Sequence, residues 1–133
     1  MKLRTMFALL VLSTMLAFSV FANNESPAGG PRVAIKSLEH SFGAVKPGTP
    51  LKYTFEVKNE GETALEINSV SPSCGCTTSN FDKSIAPGKT GGITLAVEKT
   101  ESYKGEIVKT ATVTTNDPDH QTFILTLRAN FSE

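Results

Sequence analysis

The chain has 133 residues, and its 13 lysine and arginine residues balance 13 aspartate and glutamate residues. A formal net charge of zero gives no electrostatic basis for binding nucleic acid or an anionic membrane surface. The length provides for one hydrophobic core and excludes an enzyme of two lobes.

Residues 1–22 form a predicted helical signal peptide. Lys2 and Arg4 precede an apolar stretch over 6–21, and the small side chains of Val20 and Ala22 suit a signal peptidase. We expect cleavage after Ala22. An uncleaved anchor is the alternative, but the stretch falls short of the roughly 18 to 20 residues of a membrane span and no stop-transfer charges follow it. We therefore expect a periplasmic or secreted product without a stable membrane anchor.

The segment 23–31 is polar and rich in proline and glycine, which predicts a flexible leader before a domain over 32–133. Within the domain, apolar residues alternate with a period of two, which is typical of half-buried strands. The region from Val33 to Val45 predicts a first strand that breaks or switches partway. The later alternating sets are Leu51, Tyr53, Phe55 and Val57; Leu65 and Ile67; Ile93, Leu95 and Val97; Ala111 and Val113; and Phe123, Leu125, Leu127, Ala129 and Phe131.

Turn-forming residues separate these strands, and no window after Ala22 shows helical spacing. The predicted turns are Lys46-Pro47-Gly48, Asn59-Glu60-Gly61, Ala86-Pro87-Gly88 and Asn116-Asp117-Pro118-Asp119, with a bulge or bend at Gly105. About seven short strands with turns between them predict an all-β, immunoglobulin-like β-sandwich. Because the chain has no tryptophan and no distant cysteine pair, we expect apolar packing alone to hold its core.

Cys74-Gly75-Cys76 is the one constellation with chemistry, since these are the two cysteines of the chain. In an oxidising compartment a close pair is expected to oxidise. In an extended strand the two Cα atoms would lie about 6.5 to 7 Å apart, so a disulfide requires a bend, which Gly75 permits. Such a short ring would be strained, readily reduced and of little use as a staple.

Four interpretations of this pair stay open: a strained disulfide that shapes the loop, two free thiols, a working redox pair, and a Cu(I) site formed by Cys74 and Cys76. Zn²⁺ would need more donors than two thiolates. His40 and His120 do not lie at ligand spacing from another donor, and the sequence shows nothing that would activate a thiolate. We expect no other cofactor.

Several short motifs follow one another in order along the domain. They are Ser41-Phe42-Gly43-Ala44-Val45, Pro47-Gly48, the segment from Phe55 to Gly61, Leu65-Glu66-Ile67, Ser73-Cys74-Gly75-Cys76-Thr77, the segment from Ile85 to Lys89, and the segment from Thr114 to Pro118. Together, from about Phe42 to Phe131, they resemble the bacterial domain of unknown function family 1573 (DUF1573). His40-Ser41 departs from the acidic residue that is common before the Phe-Gly pair.

The resemblance implies an exported bacterial protein with an immunoglobulin-like sandwich, related to domains of cilium and centrosome proteins, the major sperm protein and pilus chaperones. Such modules bind or scaffold other proteins, although a fold does not assign a function. No established role accompanies the signature over Cys74, Gly75, Cys76 and Thr77. Because no hydrolase motif is present, we expect a non-catalytic module for protein interaction or envelope structure, with an unidentified protein partner. An envelope thiol-redox or Cu(I)-handling protein that uses Cys74 and Cys76 is the alternative.

Overall fold

The computed structural model describes residues 29–133, which form nine β-strands in two sheets. The predicted signal peptide, its cleavage after Ala22 and most of the predicted leader lie outside this part of the chain. The strands are β1 (Val33–Ile35), β2 (Glu39–Val45), β3 (Leu51–Asn59), β4 (Leu65–Pro72), β5 (Thr77–Phe81), β6 (Ser84–Ile85), β7 (Thr90–Val97), β8 (Gly105–Thr115) and β9 (Thr122–Phe131). Residues 29–133 contain no helix that could span a membrane.

The two sheets have the strand orders β1-β3-β7-β5 and β2-β9-β8-β4-β6. The predicted break in the first strand is confirmed, because β1 pairs antiparallel with β3 in one sheet and β2 pairs parallel with β9 in the other. The predicted all-β sandwich is confirmed as well. Two of its nine strands, β1 and β6, have only three and two residues, too short for alternation to reveal.

Alternating side chains from both sheets fill the interior, as the period of two predicts. The main cluster includes Phe55, Val57, Ile93, Leu95 and Leu125, each 2% exposed or less. A second cluster, which we call the end core, closes one end of the sandwich. It consists of Leu51, Val97, Ala129 and Phe131, with Phe42, Val45, Tyr103 and Ile107 packed against them.

Two buried polar residues hold β1 at the opposite end. The Asn59 side chain accepts hydrogen bonds from the amides of Gly61 and Arg32, at 2.9 and 3.3 Å. The Asp117 carboxylate accepts one from the amide of Val33, at 2.8 Å. Because an unpaired buried amide is costly, these two side chains fix where the chain enters the sheet.

Asp117 makes the stability of this end depend on pH. Burial raises the pKa of its carboxyl, but the amides of Val33 and Asp119 and the His120 side chain more than offset this, so the pKa lies below its ordinary value of 3.8. The contribution is therefore present above that value and is lost as the pH falls through the lower, folded-state pKa. We expect the free energy of unfolding, measured with urea, to fall more between about pH 7 and about pH 2.5 for the wild type than for Asp117→Asn. Equal losses would contradict this role.

Candidate functional site

The Cys-Gly-Cys loop spans residues 73–76 and crosses from β4 in one sheet to β5 in the other. Hydrogen bonds fix both of its ends. The Ser73 amide donates to the carbonyl of Thr110 on β8 at 2.8 Å, and the Thr77 amide donates to the Cys74 carbonyl at 3.1 Å. The loop is thus a defined turn beside the end core.

Cys74 and Cys76 are joined as a disulfide, with their Cα atoms 5.2 Å apart. This separation is shorter than the roughly 6.5 Å of an extended strand, so the predicted bend is present. Gly75 does not adopt the left-handed conformation that favours glycine, and an added Cβ would meet no atom within 4 Å outside Cys74 and Cys76. Gly75 is exposed and both cysteines are half-buried, so the pair is partly accessible to solvent.

Tyr103 contacts the disulfide and is a site residue that the sequence did not reveal. Its hydroxyl donates to the Cys76 Sγ atom at 3.1 Å. The Lys109 ammonium lies 4.8 Å from the centroid of the Tyr103 ring, a cation–π distance. Lys109 lies two residues before buried Ala111 on β8 and pairs with buried Leu127 on β9. Because residues two apart share a face of the strand, Lys109 is on the core side of β8. That break in the apolar alternation is the sequence signal that could have been noticed.

Two hydrogen bonds in the preceding turn and one ring contact fix the position of Tyr103. Thr100, which is fully buried, donates its hydroxyl to the Thr49 carbonyl at 2.8 Å and thereby anchors the turn that Tyr103 ends. The Tyr103 amide donates a hydrogen bond to the Thr100 carbonyl at 3.1 Å, which closes this turn. The ring also packs edge-on against Phe131, with 5.5 Å between centroids. The hydroxyl therefore points at Cys76 from a fixed scaffold.

Thr77 is the fourth residue of the predicted site, and its hydroxyl is buried without a hydrogen-bond partner among residues 29–133. The residue is 6% exposed and pairs with Val97 where β5 begins. An unpaired buried hydroxyl costs stability. Local stability therefore does not explain why a threonine occupies this position.

Thr77→Val keeps the shape of the side chain and removes the unpaired hydroxyl. We expect the free energy of unfolding to rise by about 1 kcal/mol, because a desolvated group without a partner is eliminated. Chemical denaturation of the oxidised protein measures this change. A fall of about 1 kcal/mol in the free energy of unfolding would instead show that the hydroxyl has a partner such as an ordered water.

The two histidines lie in other surroundings. His40 stacks on Tyr53 with 3.6 Å between ring centroids, and the Nδ1 atom of His120 lies 3.1 Å from the Asp117 carboxylate. Residues 29–133 contain no group of three or more histidine, cysteine or acidic side chains placed to hold a metal ion. A Cu(I) site at Cys74 and Cys76 would require the reduced pair and stays a prediction.

The family comparison matches residues 33–131 to the DUF1573 family, described as protein of unknown function. The chain belongs to the DUF1573 family. The match begins at the first residue of β1, so the strand that switches sheets is part of the family domain. The resemblance inferred from the motifs is thereby confirmed. No curated protein sequence matches the chain.

Solved structures match this DUF1573 domain in fold. A protein of unknown function from Porphyromonas gingivalis is 23% identical with a TM-score of 0.68, covering 78% of this chain and 48% of its own. The chain thus spans about half the length of that protein. The PapD-like domain 7 of human CEP192 is 13% identical with a TM-score of 0.58, covering 89% of this chain and 97% of its own.

Part of a protease also matches. The VesB protease from Vibrio cholerae is 12% identical with a TM-score of 0.57, covering 76% of this chain but only 32% of its own. At these identities the likeness shows the fold alone. The DUF1573 domain therefore has a PapD-like, immunoglobulin-like fold.

Proposed function

We propose that this DUF1573 domain is an exported, non-catalytic interaction module that binds an extended segment of a partner protein along the free edge of β5. The observation that carries the proposal is the composition of that edge. β5 reads Thr-Thr-Ser-Asn-Phe and contains no charge and no proline. It lies at the end of its sheet, directly after the Cys-Gly-Cys loop.

The other strands at the ends of the two sheets, β1, β2 and β6, are protected in ways that β5 is not. β1 and β6 are very short. β2 is interrupted by a register shift at Gly43, whose φ is +71°, and its Glu39 is paired with Arg128 on β9. Short strands, bulges and charges are the usual means of preventing edge-to-edge pairing. An edge without them suits β-strand addition.

The backbone amides of β5 that point away from β7 are the ones that could donate hydrogen bonds to a partner strand. The Asp82 amide donates to the Gly92 carbonyl of β7 at 3.1 Å. Hydrogen bonding alternates along an antiparallel pair, so the amides of Thr78 and Asn80 also face β7. The amides of Ser79 and Phe81 point away from β7, and no backbone hydrogen bond from them is found among residues 29–133.

Ser79→Pro tests this surface because it removes an outward-facing amide and leaves the bonds to β7 in place. Ser79→Ala is the matched control, since it keeps the amide and loses only the hydroxyl bond to the Val70 carbonyl, 3.3 Å long. A photo-crosslinking residue is placed at Asn80, which is exposed on β5. Adducts are then compared in cells that express the full chain.

We expect a partner adduct of defined mass that is about tenfold weaker with Ser79→Pro and unchanged with Ser79→Ala. Thermal unfolding checks that the proline variant is folded, and Thr78→Lys, which charges the same edge, replaces it if it is not. Equal adducts with and without the edge substitution, or no adduct at all, would overturn the proposal.

The proposal includes export, with a periplasmic or secreted location and no partnership with nucleic acid. The charged start, apolar stretch and small residues at 20–22 support it. Intact mass spectrometry of the protein recovered outside the cytoplasm is expected to give a chain that begins at Asn23. A chain that retains residues 1–22 would contradict cleavage.

A further inference from the structure

The disulfide is asymmetric in what contacts its two sulfur atoms. Cys76 Sγ accepts the Tyr103 hydroxyl from a separate loop, at 3.1 Å. Cys74 Sγ accepts the amide of Cys76 within the ring itself, at 3.3 Å. Only the bond to Tyr103 is independent of the ring and would persist when the ring opens. A hydroxyl donor stabilises a thiolate more than it stabilises a sulfur in a disulfide.

The Lys109 ammonium strengthens this asymmetry. It lies over the Tyr103 ring, and no ion pair to Lys109 is found among residues 29–133. A cation over the ring face draws electron density from the ring and makes the phenolic hydroxyl a stronger donor. The fold thus supplies the activation that the sequence did not show.

The third feature of the disulfide is its accessibility from solvent. Gly75 is exposed and both cysteines are half-buried, which allows a thiol to approach the pair from solvent. Thiol–disulfide exchange requires such an approach, and it is faster when the leaving sulfur is the more stable thiolate. The same end of the molecule therefore provides an open approach and one stabilised leaving group.

We propose that the Cys74–Cys76 disulfide is a thiol–disulfide exchange centre in which Tyr103 and Lys109 make Cys76 the leaving sulfur. A thiolate attacks the Cys74 sulfur, a new sulfur–sulfur bond forms there, and the bond to Cys76 breaks. The electron pair goes to Cys76, whose thiolate accepts the Tyr103 hydroxyl. A second thiolate then attacks the sulfur that was added to Cys74. Two thiolates are oxidised to one disulfide, and Cys74 and Cys76 become the reduced pair.

Glutathione is the probe for this step, used with the purified, oxidised full chain. We expect the fold to exchange about tenfold faster than the oxidised peptide spanning Ser73 to Thr78, which has the same ring without Tyr103. The first mixed disulfide is expected mainly on Cys74 when peptides are mapped after acid quenching. Tyr103→Phe should slow exchange about three- to tenfold while the unfolding midpoint stays nearly constant. Gly75→Leu should slow it as well, by covering the approach.

A titration separates activation from mere packing. In a Cys74→Ser variant the pKa of the Cys76 thiol, followed by alkylation rate against pH, is expected below the ordinary value of about 8.5 and higher again when Tyr103→Phe is added. Exchange no faster than the peptide, a mixed disulfide mainly on Cys76, or a Tyr103→Phe variant with unchanged rate and pKa would each overturn the proposal. Because glutathione needs no docked partner, such a failure leaves the β5 interaction surface to its own test.

Discussion

Replacing Asn59 with aspartate is expected to lower the free energy of unfolding by about 3 to 5 kcal/mol, although the two side chains have the same shape. The Asn59 Nδ2 atom donates to the carbonyls of Thr63 and Ile85, at 2.7 and 2.9 Å, and the residue is fully buried. A carboxylate would place a negative oxygen against both carbonyls.

Urea unfolding of Asn59→Asp beside the wild type measures this loss, and Asn68→Asp, at an exposed position on β4, is the control that should stay within about 0.5 kcal/mol. The penalty should shrink as the pH falls toward about 4, because burial against two carbonyls raises the pKa of this carboxyl and its protonated form can donate one of the two bonds. A variant as stable as the control would show that Asn59 does not organise the corner.

Gly61→Ala is the second large effect that we expect, with a loss of about 2 to 3 kcal/mol. A Cβ atom at Gly61 would overlap the Gly30 carbonyl oxygen and lie 2.7 Å from the Arg32 nitrogen. These are backbone atoms, so the segment before β1 must move away. That movement would also lengthen the bond from the Arg32 amide to Asn59, 3.3 Å in the native protein.

The matched control is Gly75→Ala, whose Cβ meets no atom within 4 Å outside its two neighbours and which should leave the unfolding midpoint nearly unchanged. Thermal unfolding compares the two alanines directly. Equal midpoints would show that the segment before β1 moves without loss of stability and would contradict the tight packing that we infer at Gly61.

The strands were predictable from the sequence because their alternation is long and regular. The set from Phe123 to Phe131 lies on one face of β9, and the break after Ile35 marks the change of sheet. The turn residues were also predictable from the sequence, but the hydrogen bonds that their side chains make were not. Asn59 and Asp117 read as ordinary turn formers, and only the packing of both sheets shows that they are buried against β1.

The site was predictable in part. The cysteine pair and its bend follow from spacing, whereas Tyr103 lies 27 residues further along the chain and meets Cys76 only because the loops after β4 and β7 share one end of the sandwich. Sequence separation of that kind carries no local signal. The free edge of β5 likewise depends on strand order, which alternation does not determine.

We infer that the buried side chains of Asn59 and Asp117 maintain the fold, whereas the Cys74–Cys76 disulfide serves exchange chemistry and contributes little to stability. The most direct test is the free energy of unfolding of the double variant Cys74→Ser, Cys76→Ser against that of the oxidised wild type. Because the closed loop is so short, we predict a loss of at most about 1.5 kcal/mol. A loss of about 3 kcal/mol or more would mean that the disulfide is a structural staple and would contradict this account.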